Sequence, residues 1–412
     1  KYFQPENLAI QFPQEIELEN GIRLFWIKDV KDESVKLDIE WCAGSKYQTK
    51  KLVANFANKL MLSGNENQSS ADIAEEIDYH GGYMQHEMDR DHAGVTLYGL
   101  TNNIVDIFRV FSKGMTSCVF PESEFEKERS ISLMRFQIEG KKVKNTCQRK
   151  FNQALFGEDS EYGQIAEEED FQLVQREDIA SFYKEFYLNG KPTVFLVGNV
   201  SEDFIQDLRD WSALLSANEF VYEPKELIQE KGMINIPVED AIQSAIRFGR
   251  LMFDKNHIDY FKFQLLNTVL GGYFGSRLMA NIREDKGYTY GIGSGMSVME
   301  NAAYFFIITE VGVDVRDATV EEVNKELSRL RTELISEEEL TKVKNYMLGD
   351  FLRNADGAIA MMENFKNIHF NSLKPTYYND FIQAINQTTA VELQVLAKKY
   401  LQQDDLTIVT AG

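Results

Sequence analysis

The sequence predicts an α+β fold of two similar halves, each a mainly antiparallel sheet with helices packed on one side. Two observations lead to this prediction. Runs of strand-like segments alternate with runs of amphipathic helical segments, which is typical of α+β domains. A pattern in the first half of the chain also returns in the second half. With 412 residues, of which 43% are hydrophobic, the chain is long enough for two or three domains with hydrophobic cores.

The internal repeat spans a helix and the strand that follows it. Residues 178–198 resemble residues 392–412, and equivalent positions are displaced by 214. Further upstream, residues 124–127 match residues 339–342 with a displacement of 215. An offset that holds across two elements favours a duplication over a chance likeness between amphipathic helices.

In the first half, the periodicity of apolar residues predicts five strands and five helices. The helix at 71–79 begins after Ser69 or Ser70, because either hydroxyl can cap the first turn. The predicted strands are 22–28, 36–41, 83–88, 94–100 and 193–197, and the predicted helices are 51–62, 71–79, 102–117, 122–139 and 177–186.

The second half repeats this alternation of strands and helices. Its predicted strands are 244–251, 289–297 and 303–309, and its predicted helices are 257–270, 277–284, 315–334, 337–353 and 390–400. Residues 220–232, with Pro224 near their centre, show the weakest periodicity and are predicted to be the linker. The predicted domains are therefore residues 1–219 and residues 233–412.

Charge and composition exclude several classes of function. The chain has 44 basic and 65 acidic residues and a net charge of −21, which argues against binding to nucleic acids or anionic membranes. No apolar stretch approaches the length of about 18 residues that a membrane span requires. The three cysteines, Cys42, Cys118 and Cys147, form no metal-binding pattern. They allow at most one disulfide, and free buried thiols are favoured.

One helical segment carries residues at the spacing of a metal site. Asn55, Asn58 and Lys59 lie at i, i+3 and i+4 of the predicted helix 51–62 and therefore share a face. Two histidines at i and i+4 can bind one Zn²⁺, but an amide and a protonated amine cannot, because lysine has no free lone pair at neutral pH. These three side chains therefore offer no pair of zinc ligands.

The segment resembles the helix that carries H-x-x-E-H in the pitrilysin/insulinase family of metallopeptidases. The resemblance implies two clam-shell halves, with Asn55 and Lys59 at the positions of the zinc-binding histidines and Asn58 at that of the general base. Arg135, seven residues after Glu128, stands where the family has its third zinc ligand, a glutamate. Four substituted positions imply that the chain itself binds no zinc and is inactive alone.

Two further motifs extend the resemblance along the chain. Gly81 and Gly82 match a tight turn that follows the zinc helix, and residues 271–278 resemble the G-G-x-x-S-x-L element of the second half. Residues 283–290 are similar to the motif R-E-x-x-G-L-x-Y, which implies that Arg283 and Tyr290 contact the substrate near the scissile bond. Guanidinium and phenol groups can donate hydrogen bonds to a peptide carbonyl or to an oxyanion.

The leading hypothesis is a non-catalytic subunit of a heterodimeric zinc metallopeptidase. The resemblance implies a homologous partner that carries the zinc, a shared chamber, and peptides or unfolded segments as substrates, with Arg283 and Tyr290 supplied by this chain. The family's habits and the first residue, Lys1, favour a periplasmic or secreted location over a cytoplasmic one.

Three alternatives stay open. The chain could be a scaffold or binding protein with this fold and no proteolytic role. It could be the C-terminal half of a longer single-chain metallopeptidase. It could be an active enzyme with an unrecognised site, but no two of its five histidines are spaced three or four residues apart, so no helix offers a pair of zinc ligands.

Overall fold

The computed structural model describes residues 11–29 and 31–412, which form two β-sheets covered by helices. The first sheet has the strand order β1-β2-β6-β3-β5-β4, and the second has the order β7-β11-β8-β10-β9. Only the pairs β2–β6 and β7–β11 are parallel within these sheets. The strands are β1 (Gln14–Glu17), β2 (Arg23–Ile27), β3 (Ser34–Trp41), β4 (Tyr83–Met88), β5 (Ala93–Leu100), β6 (Thr193–Val197), β7 (Gly232–Ile236), β8 (Gln243–Leu251), β9 (Thr289–Val298), β10 (Ala303–Gly312) and β11 (Thr407–Ala411). The predicted α+β fold with mainly antiparallel sheets is confirmed.

Fourteen α-helices occur in the described residues. They are α1 (Val53–Lys59), α2 (Ser70–Tyr79), α3 (Ile104–Thr116), α4 (Glu122–Gly140), α5 (Val143–Phe156), α6 (Asp170–Leu173), α7 (Arg176–Tyr183), α8 (Glu202–Ser212), α9 (Tyr260–Leu270), α10 (Arg316–Thr332), α11 (Glu337–Arg353), α12 (Ala358–Phe370), α13 (Tyr377–Gln387) and α14 (Ala390–Tyr400). Two π-helical turns, Lys184–Leu188 and Met279–Asp285, extend the helical structure.

The two sheets have the same topology, as the internal repeat predicts. Strands β2, β6, β3, β5 and β4 correspond in order to β7, β11, β8, β10 and β9, and the single parallel pair has the same place in both sheets. Helices α4 and α11 begin at Glu122 and Glu337, which are displaced by the predicted 215 residues. The first sheet differs only by its additional edge strand, β1.

Each sheet also receives one helix from the other half on the face that its own helices leave open. Alternate residues of β11 point to opposite sides, so that Ile408 joins the main core of the second half while Val409 packs with Phe151 of α5. In the first sheet, Val194 of β6 faces its own helices, whereas Phe195 packs with Met362 of α12. The halves therefore exchange α5 and α12, which the sequence analysis did not predict.

The segment predicted as a linker runs along this exchanged helix. It has no helix or strand before β7 begins at Gly232. Its backbone is nevertheless held, since the Ile228 and Glu230 amides donate to carbonyls of Phe156 and Ala154 at the end of α5. Residues on both sides of the predicted boundary thus belong to one packed unit around the second sheet.

Several predicted elements differ from the structure at their ends. Helix α1 is shorter than predicted, because Leu52 takes a left-handed conformation (φ 74°) that prevents the helix from starting earlier. The predicted helix 277–284 is largely a π-helical turn. The predicted cap of α2 is confirmed as Ser69, whose hydroxyl accepts from the Asp72 amide. The predicted turn is also present, and Gly81 (φ 69°) has the positive φ that favours glycine there.

All three cysteines are free thiols, as favoured by the sequence, and Cys147 is buried beneath the second sheet. In residues 11–29 and 31–412, no helix combines the length and the apolar character that a membrane crossing needs.

Candidate functional site

The first half of the site is built on α1, which carries three of the residues singled out by the sequence. Asn55 and Lys59 lie one helical turn apart and line the same cavity. Asn58 lies on the buried side of the helix with only 2% of its surface exposed. Its amide donates to the Gly94 carbonyl and to the Tyr187 hydroxyl, both at 3.1 Å. Asn58 therefore connects α1 to β5 and to the core.

Lys59 is neutralised by an acidic residue of α4. Its ammonium group lies 2.9 Å from the Glu128 carboxylate and donates to the Ser132 hydroxyl at 3.2 Å. Burial raises the pKa of Glu128, but hydrogen bonds from Lys59 and Ser132 outweigh it and leave the pKa below its usual value. Lys59 is thus a protonated partner of a carboxylate.

Arg135 lies one turn beyond Ser132 on α4 and faces the same cavity as Asn55 and Lys59. We call this space, of about 780 Å³, the α1 cavity. Its apolar wall includes Phe136 and Phe171, whose rings lie 5.3 Å apart. Residues Ser297, Val298 and Met299 of the second half close its far side. The structure thus brings three of the four degenerate positions together around one cavity and places the fourth, Asn58, behind it.

These residues do not fit a zinc ion. The donors at the three cavity positions are a neutral amide, an ammonium group bonded to Glu128, and a guanidinium group, none of which is a zinc ligand. His86 of β4 lies close to Lys59, and burial together with the charge of Lys59 lowers the pKa of its imidazole to about 4. A single imidazole beside an ammonium group does not make a zinc site. The described residues contain no cluster of three or more His, Cys, Asp or Glu side chains that could hold a metal.

Arg283 and Tyr290 flank the start of β9 in the second half. Arg283 lies in the π-helical turn Met279–Asp285, and its guanidinium stacks on the Phe274 ring at 4.7 Å. Tyr290, the second residue of β9, is 96% exposed. Neither side chain has a hydrogen bond or an ion pair with another described residue. Both are free to donate to a molecule outside this chain.

The loop before Arg283 is fixed against β9 by a glycine. A side chain at Gly271 would come within 2.6 Å of the Ser294 hydroxyl and 2.9 Å of the Ser294 amide. The Ser294 amide also donates to the Gly271 carbonyl at 3.0 Å. This close approach between the end of α9 and β9 sets the position of the G-G-x-x-S-x-L element.

Tyr290 lines a second space, of about 890 Å³, that we call the β9 cavity. One wall is the sheet, with Arg247 of β8 and Glu310 of β10. The opposite wall is the exchanged helix α5, with Lys144 and Gln148. Among the described residues that line the α1 cavity and the β9 cavity, Arg283 occurs in neither wall. The degenerate zinc positions and the Arg/Tyr pair therefore do not share a cavity within this chain.

A buried polar cluster joins the two halves beside the α1 cavity. Glu300, in the turn between β9 and β10, lies 3.3 Å from the His92 imidazole of the first half. Its backbone amide donates to Asp91, whose carboxylate also accepts from the Tyr162 hydroxyl at 2.6 Å. Lys46, fully buried, forms ion pairs with both Asp91 and Glu300. This cluster holds residues 297–299 in the wall of the cavity.

Much of this environment is not predicted by the sequence. The motifs indicate Asn55, Lys59 and Arg135 but neither Arg90 nor Phe136 in the same wall. Helix α5, and with it the wall that faces Tyr290, is not predicted either. The structure extends the repeat to these helices, since α5 and α12 begin at Val143 and Ala358, again 215 residues apart.

Comparisons with known proteins agree with this architecture. Residues 24–167 match the family described as insulinase (peptidase family M16), and residues 174–347 match the peptidase M16 inactive domain. A protein of Bacillus subtilis, described as the uncharacterized zinc protease YmxG, is 22% identical over 91% of this chain and 92% of its own length. A protein of Helicobacter pylori, described as the non-peptidase homolog YmxG, is 24% identical over 59% of this chain and 57% of its own length.

A solved structure supports the same fold. The crystal structure of a peptidase M16 inactive domain from Pseudomonas fluorescens superposes with a TM-score of 0.88 at 20% identity. The match covers 97% of this chain and 98% of that chain. At this level of identity the likeness establishes the arrangement of both halves and leaves the chemistry to be argued from the residues.

Proposed function

Because this chain belongs to the insulinase family of M16 peptidases, we propose that it is a non-catalytic subunit that binds peptide for a zinc-bearing partner. The observation that carries the proposal is the contrast between its two sites. The α1 cavity has no zinc ligands at its degenerate positions, whereas the half-buried Arg283 and the exposed Tyr290 keep donor groups without a hydrogen-bond partner among the described residues. Such donor groups are available to a molecule from outside the chain.

The separation of the two sites supports a role in trans. Tyr290 lines the β9 cavity and Lys59 lines the α1 cavity, so Tyr290 and the degenerate site face different cavities of the chain. In a complex with a homologous subunit, the pair would face the partner's zinc site. Its guanidinium and phenol would hold the peptide carbonyl and stabilise the oxyanion that forms when water attacks it. The partner's zinc would activate that water.

The test is a mixing experiment with a homologous subunit that carries H-x-x-E-H. We expect no cleavage of a quenched peptide by this chain alone, and cleavage by the mixture that a chelator abolishes. Arg283→Ala and Tyr290→Phe should each lower kcat by about 10²-fold or more, as expected for the loss of one oxyanion donor. Their binding to the partner should be unchanged.

Matched variants separate a role in the site from a general effect. Tyr79→Phe changes another exposed tyrosine, 84% exposed, on α2. Arg353→Ala changes an exposed arginine at the end of α11. Both should leave cleavage by the mixture unchanged. Full activity of Arg283→Ala and Tyr290→Phe would show that the pair does not contact substrate, and zinc-dependent cleavage by the isolated chain would show that it is an enzyme itself.

A second function, a binding protein with no proteolytic role, is favoured by one observation. The Helicobacter pylori relative carries the description of a non-peptidase homolog. This alternative predicts that the chain binds peptide in the same way with and without a zinc-bearing subunit, and that no such subunit gains activity from it.

A further inference from the structure

The α1 cavity presents positive groups in a strongly acidic protein. The whole chain has a net charge of −21, yet four cationic side chains line this cavity. Two of them are neutralised, since Lys51 lies 3.3 Å from Asp170 and Lys59 lies 2.9 Å from Glu128. The other two are Arg90 and Arg135, and neither has a carboxylate within 4.0 Å among the described residues.

The carboxylates in the same wall are already bonded to other groups. Glu139 accepts from Lys142, which follows α4, and from Asn145 in the first turn of α5. Glu161 forms an ion pair with Lys225 at 2.9 Å and accepts from Tyr222. Asp89 accepts from two backbone amides of its own turn, both at 2.7 Å. The carboxylates of the wall therefore bind other groups of the protein, and the N–H groups of the Arg135 guanidinium remain available to a ligand.

Arg90 is held in the wall by a single bond to the protein. Its guanidinium donates to the Glu161 carbonyl at 3.0 Å, and burial lowers its pKa. A half-buried guanidinium bonded only to a neutral carbonyl gains more from an anionic ligand than a solvated one, because burial strengthens charge–charge attraction. Two cations of the wall are thus without a carboxylate partner, the half-buried Arg90 and the exposed Arg135.

The neighbouring groups are suited to a peptide. The Asn55 amide, one turn before Lys59 on α1, has no hydrogen-bond partner among the described residues and can donate to a ligand oxygen. Phe136 and Phe171 provide an apolar surface beside Arg135. The volume of about 780 Å³ lies in the range of ligand sites. Apolar walls with a few free polar donors are typical of such sites.

From these observations we propose that the α1 cavity binds a carboxylate of a peptide, with Arg135 as the main donor and Arg90 and Asn55 as secondary donors. A guanidinium group binds carboxylates through paired hydrogen bonds. The inference rests on the proposed function, because it names the kind of peptide that this non-catalytic subunit takes.

The carboxylate could come from an acidic side chain or from the C-terminus of the peptide. Three fluorescent peptides of one leucine-rich sequence separate these sources. The first contains a central glutamate and has both ends blocked. The second has glutamine in its place and a free C-terminus, and the third has glutamine and both ends blocked. Binding is measured by anisotropy with the purified full chain.

We expect one or both of the carboxylate-bearing peptides to bind at least about tenfold more tightly than the neutral peptide, a difference of about 1.4 kcal/mol. Preference for the first identifies a side-chain carboxylate, and preference for the second identifies a C-terminal one. Arg135→Gln should remove the preference and leave the affinity for the neutral peptide unchanged. Arg353→Gln, far from the cavity on α11, should bind like the native chain. Circular dichroism and Tm confirm that the variants are folded.

Equal binding of all three peptides, or an undiminished preference in Arg135→Gln, would overturn the inference. These outcomes do not depend on the partner subunit. Partner-dependent cleavage without any carboxylate preference would overturn this inference and leave the proposed function standing. A carboxylate preference that Arg135→Gln abolishes, with no cleavage in any mixture, would support the inference for a peptide-binding protein and contradict the peptidase role.

Discussion

The imidazole of His92 lies 3.3 Å from the carboxylate of Glu300, and the two residues come from different halves of the chain. Burial opposes protonation of His92, but hydrogen bonds to Cys42 and Glu300 outweigh it and raise the pKa of the imidazole to about 10. Burial also raises the pKa of Glu300, yet hydrogen bonds from His92 and Lys46 prevail and lower it to about 2. The pair is therefore charged in the folded protein across neutral pH.

This ion pair predicts a defined pH dependence of stability. The contribution of His92 is complete below its usual pKa of 6.5 and is lost as the pH rises toward 10. The contribution of Glu300 is complete above its usual pKa of 4.5 and is lost as the pH falls toward 2. The pair should thus stabilise the protein most between these two usual values. In Glu300→Gln, thermal unfolding should show a lower Tm at about pH 5.5 and a smaller fall in Tm between about pH 6.5 and about pH 9.

Glu219→Gln is the control for this prediction. Glu219 forms an exposed ion pair with Lys191, with 77% of its own side chain accessible, so its replacement should change Tm little at either pH. If Glu300→Gln and Glu219→Gln gave the same pH profile as the native chain, the junction between the halves would not depend on the His92 pair.

A second prediction compares two asparagines of α1. Asn58→Ala removes the donor to the Gly94 carbonyl and the Tyr187 hydroxyl in a buried position, so it should lower the free energy of unfolding by about 2–3 kcal/mol. Asn55→Ala, one turn earlier, removes no hydrogen bond and should stay within about 0.5 kcal/mol. Urea unfolding followed by circular dichroism measures both. Equal effects would contradict the structural role of Asn58.

The sequence was sufficient for the fold class, because strand and helix periodicity and the repeat are local signals. The sequence offered two hydroxyl groups, those of Ser69 and Ser70, as the cap of α2. The structure shows that Ser69 is the cap. The sequence did not predict which asparagine of α1 lies in the core and which lines the cavity. Asn55 and Asn58 are the same residue type on one helix, and only the packing of β5 against α1 decides that Asn58 is internal.

The partners of the site residues were also beyond the sequence. Glu128 was read as part of a degenerate metal motif, and its bond to Lys59 depends on how α1 and α4 cross. Helix α5 has a mixed pattern because its side toward the sheet of the other half carries both buried apolar residues, such as Phe151, and polar residues, such as Gln148, that line the β9 cavity. Such long-range packing leaves no trace in a short window of sequence, and the common offset of α5 and α12 is visible only in the structure.

The exchanged helices predict that the halves do not fold separately. A fragment of residues 233–412 lacks α5, and with it the Phe151 and Leu155 side chains that cover Val409 and Ala411 of the second sheet. We expect this fragment to aggregate or to lack a cooperative thermal transition. In the full chain, Phe151→Ala should lower the free energy of unfolding by about 3–5 kcal/mol, because a large buried ring is removed.

Leu214→Ala, at a position 68% exposed, is the control for Phe151→Ala and should change stability by less than about 0.5 kcal/mol. A monomeric fragment of residues 233–412 with a sharp transition and native-like circular dichroism would contradict the role of α5 as part of the second core.

The last prediction concerns the metal site itself. The native chain should take up no stoichiometric zinc, because Asn55, Lys59 and Arg135 provide no zinc ligand. Replacing them together, as Asn55→His, Lys59→His and Arg135→Glu, places two imidazoles one helical turn apart and a carboxylate in the same cavity wall. These are the ligand types that zinc prefers. We expect the triple variant to bind about one zinc per chain by elemental analysis after dialysis.

The single variant Lys59→His should bind none, since one imidazole is too few ligands. Zinc uptake by the native chain, or none by the folded triple variant, would show that Arg135 and the two α1 positions do not converge as the cavity indicates. Because Asn58 stays unchanged and internal in this variant, it should bind zinc without becoming a peptidase, which a quenched-peptide assay checks directly.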